Sequence, residues 1–191
     1  MNPPAWSLVV HGGCGQLTPD SLPGPEADCR AGLAGALAAG KAVLAAGGSA
    51  VDAVVAAVSV LEDHPLFNAG RGAVFTAEGR TELDAAVMDG ASRKAGAVAG
   101  VTRTRNPVQL ARAVMQNSSH VLLARDGADV FALEQGLEQV EPGWFRVESR
   151  WQALQAMKAA AARGEDVFDA DGERIKRRRG RPRKSAAADA G

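Results

Sequence analysis

The stretch "LEDHPLFNAGRGAVF", residues 61–75, decides how this chain is read. An apolar, helix-like run closes on two acids and is broken by Pro65. After an aromatic, Asn68 lies among Ala69, Gly70 and Gly72. Glycines let backbone and a polar side chain approach something closely, so the segment is either a plain helix–strand connection or a loop that presents Asn68. Immediately upstream, Ser49 stands where an N-cap would, with Asp52 three residues on as a short capping-box partner. "AVVAAVSVLED" continues that apolar face, which predicts a helix ending at the loop.

Working outward, residues 27–46 are rich in Ala and Leu and stop at Gly47–Gly48, which predicts an earlier helix. "WSLVV" (6–10) is strand-like and feeds the Gly-rich turn "HGGCG". Downstream, "GAVFTAEGRTELDAAVMDG" holds two strand-like stretches around a Glu-Gly tip, and "KAGAVAGV" (94–101) reads as a third. Together they predict an antiparallel meander. A helix over 106–118 has Pro just inside its start, a short strand follows in "HVLLA", a turn and another helix come next, and 150–163 is helical again. Helices before and after a mostly antiparallel sheet give an α+β fold built in layers.

The chain has 191 residues, 46% of them hydrophobic, enough for one domain of ordinary size. Its zero formal charge conceals an asymmetry: residues 1–173 hold 14 Lys/Arg against 21 Asp/Glu, and residues 174–191 hold 8 against 1. A block of like charge repels itself and stays solvated. From Gly164 onward the periodicity dissolves, so residues 1–164 are read as the folded portion and 165–191 as a flexible basic linker. Cys14 and Cys29 form no metal-ligand pattern or disulfide framework, and no signal-peptide or membrane-length apolar run occurs, which points to a cytoplasmic protein. His11, His64 and His120 are too scattered to define a metal site, and no nucleophile-elbow or phosphate-loop pattern is present.

"VVHGG", "GGSAVDAVVAAVSVLED", "PLFNAGRGAVFT", "ELDAAVMDG", "KAGAVAGV", "NPVQLARAVM" and "SSHVLL", in that order, resemble the plant-type asparaginase and isoaspartyl peptidase family of N-terminal-nucleophile hydrolases. The match covers about residues 6–125, with weaker similarity to 165. The resemblance implies a four-layer αββα sandwich made as a precursor that cuts itself before a Thr. This chain then looks like the α subunit, Gly191 like the residue before the cut, and the nucleophile belongs to a separate β chain that completes the fold. Two αβ units forming a dimer are implied, acting on L-asparagine and β-aspartyl dipeptides.

The chemistry of such an arrangement is coherent. The α-amine of an N-terminal Thr, with a reference pKa of about 7.7–8.0, can take the proton of its own hydroxyl. The oxyanion is met by fixed donors, and no organic cofactor is required. By the same resemblance Asn68 lies beside the nucleophile, and Gly12 and Gly13 form a turn near the cleavage site. The 61–71 loop cradles a structural sodium through the main-chain carbonyls of Leu61, Glu62, His64, Phe67, Ala69 and Arg71, a hard cation on oxygen ligands. His11 is read as packed for structure, since the amine already fills the base role.

One feature departs from the family. "KRRRGRPRK" resembles an AT-hook, whose Arg-Gly-Arg lies in the narrow minor groove of A·T-rich DNA. A nucleic-acid-binding module is therefore the rival reading, opposed by the acidic body. A non-catalytic scaffold is the third.

Overall fold

The computed structural model describes residues 6–13, 22 and 24–165. The chain opens with two long helices, α1 (Glu26–Ala45) and α2 (Ala50–Asp63), packed on each other. Small residues make that contact close. Gly32, Ala36 and Gly40 are buried along α1, and a Cβ built at Gly40 would lie 2.9 Å from the Ala53 carbonyl oxygen. Gly47, at φ 82°, ends α1, and Gly48 N–H donates to Val43 O at 2.9 Å. The expected capping box opens α2: Asp52 N–H donates to Ser49 Oγ at 3.0 Å, and Ser49 N–H donates to the Asp52 carboxylate at 3.3 Å.

A three-stranded sheet follows, ordered β1-β2-β3, with β1 at Leu83–Met88, β2 at Ala95–Val101 and β3 at Leu122–Ala124. β1 and β2 are antiparallel, with a register slip between Leu83 and Ala85. β3 runs parallel to β2, reached through α3 (Pro107–Asn117). Gly96 lets α3 sit directly on β2, because a Cβ there would meet the backbone of Ala111 and Met115. Leu83, Val87, Val98 and Val101 point to that helical side and join Leu110, Val114 and Phe145 in the main core. Alternation sends Met88 to the opposite face, where it is 58% exposed.

Four expectations are corrected. Residues 6–10 and 73–76 carry no strand assignment, since neither segment gains a ladder with the described strands. The turn at the Glu-Gly tip does form, closed by Thr76 N–H to Arg80 O at 2.7 Å, but its arms do not extend as a hairpin. The meander is thus two antiparallel strands with a parallel third. α4 (Arg125–Glu134) begins directly at the end of β3 with no intervening turn.

Asp129 of α4 fastens the 102–104 segment by accepting from the backbone N–H groups of Thr102, Arg103 and Thr104 and from both threonine hydroxyls. A 3-10 turn (Pro142–Phe145) and α5 (Glu148–Arg163) complete the described chain, and Gly164 at φ 82° ends α5. Cys14, Gly191 and the basic segment lie outside the described residues. No helix among the described residues is long and apolar enough to cross a membrane.

Candidate functional site

The loop between α2 and β1 is wound tightly on itself. Its turns are closed by His64 N–H to Leu61 O at 3.2 Å, Phe67 N–H to His64 O at 3.3 Å and Arg71 N–H to Glu62 O at 2.7 Å. Gly70 packs against the Glu62 backbone, and Gly72 packs against the carbonyls of Pro65 and Phe67, with no room at either for a side chain. Arg150 of α5, distant in sequence, donates to Gly72 O at 3.0 Å. Burial holds that guanidinium below its ordinary pKa.

Phe67 anchors the loop. It is 6% exposed and meets His64 edge-to-face with ring centroids 5.1 Å apart. Gly32 of α1 presses on this ring, and so does Gly12, whose Cβ would fall 3.0 Å from Phe67 Cε1 and 2.6 Å from Leu33 Cδ2. The "HGG" segment and the Asn68 loop therefore meet through one buried ring. Gly13 is exposed. His11, expected to be packed, is exposed instead, because the segment that carries it is not enclosed by the described chain.

Asn68 is exposed, and its orientation is fixed: Oδ1 accepts the Val74 N–H at 3.1 Å. With the oxygen so used, Nδ2 has no partner among the described residues and remains a free donor at the surface.

The carbonyls expected to face a cation fall into two sets. Those of Leu61, Glu62 and His64 each accept one loop N–H, and those of Phe67, Ala69 and Arg71 accept none among the described residues. A carbonyl oxygen has two lone pairs, so all six retain acceptor capacity suited to a hard cation. No cluster of His, Cys, Asp or Glu side chains among the described residues could hold a metal ion.

Glu62 is the residue whose side-chain role the sequence reading missed. It is 2% exposed at the end of α2, and its Oε1 accepts the Val108 N–H at 2.8 Å, capping α3 from another helix. Asn106, at the N-cap position, makes no such bond. Oε2 has no partner. Burial pushes the carboxyl up to about 8, outweighing the downward pull of the Val108 N–H and of the nearby Asn106 amide. The available signal was its spacing, seven residues after buried Val55 on the same helical face. Beside it, Arg105 forms a two-pronged pair with Asp63 at 3.0 and 3.1 Å and bonds Glu138 at 2.9 Å. The guanidiniums of Arg71 and Arg105 both stack on Trp144 at 4.9 Å, tying the loop to the 3-10 turn.

A family model described as asparaginase matches residues 4–184. The chain is 45% identical over 167 residues to an isoaspartyl peptidase of Salmonella typhimurium, covering 86% of this chain and 52% of that protein. It is 42% identical over 169 residues to a putative isoaspartyl peptidase/L-asparaginase of Dictyostelium discoideum, covering 88% and 48%. It is 41% identical over 148 residues to a plant-type L-asparaginase of Pyrococcus abyssi, covering 78% and 47%. The chain spans about half the length of these curated relatives.

Proposed function

We propose, from the premise that this chain belongs to the asparaginase family, that it is the α subunit of an amidohydrolase that releases L-aspartate from β-aspartyl dipeptides and L-asparagine. The observation that carries the reading is Asn68. Its loop is pinned by Arg71, Gly72 and Phe67, and its carboxamide is turned so that Nδ2 is offered outward. A donor fixed before substrate arrives needs no reorganisation during reaction, which is the property that a nucleophile-orienting group requires.

The nucleophile is proposed to be a Thr at the start of a β chain, released when a precursor cuts itself after Gly191. That β chain would cover the face on which Met88 is exposed and complete a four-layer sandwich, and two αβ units would assemble in the cytoplasm. Support comes from the relatives, which are about twice as long as this chain. The loop carbonyls of Leu61, Glu62, His64, Phe67, Ala69 and Arg71 would hold a sodium ion, whose contribution is to stiffen the segment bearing Asn68. Gly12 gives the close backbone approach by which the "HGG" turn supports Phe67 beneath that segment.

The test is expression of the full-length gene. Intact mass should show two chains, the first ending at Gly191 and the second beginning with Thr, and the pair should hydrolyse β-aspartyl-leucine. A single uncut chain, or two chains without amidase activity, refutes the proposal.

A further inference from the structure

An open cavity of about 430 Å³ lies where β1, β2 and β3 come together, and its lining includes Val74, Glu82, Asp84, Gly100 and Arg125. Three irregularities meet there. The register slip between Leu83 and Ala85 places the extra residue in β2, where Ala99 and Gly100 lie opposite Asp84 alone. Gly100 has φ 66°, and its N–H donates to Asp84 Oδ1 at 2.7 Å rather than to a strand neighbour. Arg125, the first residue of α4, has φ 54°. That conformation is costly for a residue with a side chain and persists only where its surroundings impose it, as at ligand sites. Bulges likewise gather beside active sites, where they re-aim a side chain.

The charges in the cavity are not consumed by one another. The Arg125 stem crosses Gly100, whose Cβ would lie 3.3 Å from Arg125 Cγ, and its guanidinium pairs with no acid among the described residues. Asp84 keeps Oδ2 without a partner among them, and Glu82 pairs with Arg80 at 3.2 Å. The cavity is also next to Asn68, because Val74 both lines it and donates its N–H to Asn68 Oδ1.

The geometry points to this cavity as the subsite for the leaving amino acid of a β-aspartyl dipeptide, with Arg125 binding that residue's α-carboxylate. The inference rests on the proposed amidohydrolase function. A guanidinium grips a carboxylate through two parallel bonds. Asp84 and Glu82 accept from the nitrogen, an amide N–H in the substrate and an ammonium after cleavage, so one arrangement suits both states. The volume suits an amino acid. L-Asparagine loses only ammonia and places no carboxylate there, so Arg125 sets specificity between the two substrates.

The experiment compares processed full-length enzyme with its Arg125→Gln and Arg125→Lys variants on β-aspartyl-leucine, its C-terminal amide and L-asparagine. In Arg125→Gln the ratio of kcat/KM for dipeptide over asparagine should fall about tenfold or more through KM, with partial recovery in Arg125→Lys. Wild type should disfavour the amide, and Arg125→Gln should not distinguish it from the acid. An equal loss on all three substrates, or no loss, overturns the subsite. If wild type hydrolyses none of them, the proposed function fails, and calorimetry with free L-leucine and leucinamide tests the cavity separately. Arg125-dependent binding of the acid alone upholds the subsite, and its absence overturns it.

Discussion

Replacing Gly70 by alanine inserts one methyl group between the Asn68 loop and the last turn of α2. The new Cβ would lie 2.5 Å from the Glu62 carbonyl oxygen and 3.0 Å from its carbon, backbone atoms that cannot rotate aside. Restoring a 3.0 Å separation from the oxygen moves the loop by at least 0.5 Å, the difference between 3.0 and 2.5. The adjacent Arg71 N–H to Glu62 O bond is 2.7 Å. Lengthened by that amount it reaches about 3.2 Å, the outer edge of the normal range. Overpacking costs about 1–3 kcal/mol and a weakened hydrogen bond up to about 1 more, so a loss of ~1–4 kcal/mol is expected. Asn68 lies two residues away and moves with the loop. A 1 Å misplacement can cost about 10²-fold, so half of that should lower kcat/KM by about tenfold. Thermal unfolding and β-aspartyl-leucine hydrolysis by the full-length enzyme measure both effects. Gly143→Ala, whose Cβ would meet nothing within 4 Å, is the control and should change stability by less than about 0.5 kcal/mol. Wild-type melting and rate in Gly70→Ala would refute the argument that the loop has no room to give.

Asn68→Ala should slow hydrolysis by about one to three orders of magnitude with little change in melting temperature, since it removes an exposed positioned donor; steady-state kinetics on the purified full-length protein decides. Asp129→Ala strips the acceptor from three backbone N–H groups and two hydroxyls and should cost about 3–5 kcal/mol in urea unfolding, and Asp129→Asn should cost less because one acceptor oxygen survives. Exchanging sodium for tetramethylammonium should lower the melting temperature of the full-length protein, and the difference should shrink in Gly70→Ala. A salt-independent melting temperature in wild type removes the sodium from the proposal.

Local signals were legible in the sequence where one element carries its own explanation. Ser49 and Asp52 lie three residues apart and bond each other, so the start of α2 could be read from four letters. Gly47 and Gly164 both end helices at positive φ, as their positions after apolar runs suggested. What the sequence hid was non-local. Glu62 caps a helix that begins 45 residues later, and Arg150 reaches Gly72 across 78 residues, separations over which no periodicity carries information. The same holds for Trp144, whose contacts with both Arg71 and Arg105 depend on three segments arriving together.

The two strand expectations that the fold does not meet share a physical cause. Side-chain pattern reports which residues suit a pleated, half-buried surface, whereas a strand exists only when a neighbour supplies the ladder. Residues 6–10 and 73–76 have the first property, and no described strand gives them the second. Each contains a valine left open to solvent, Val9 at 87% and Val74 at 40% exposure, and Met88 and Leu122 in β1 and β3 are more than half exposed as well. Apolar side chains of this size are normally covered when they cluster beside a sheet. The pattern in 6–10 and 73–76 therefore fits a chain whose neighbours come from the remaining half of a protein as long as its relatives. If the proposed β chain is that neighbour, it would cover the valines and would also meet Nδ2 of Asn68, which has no partner among the described residues.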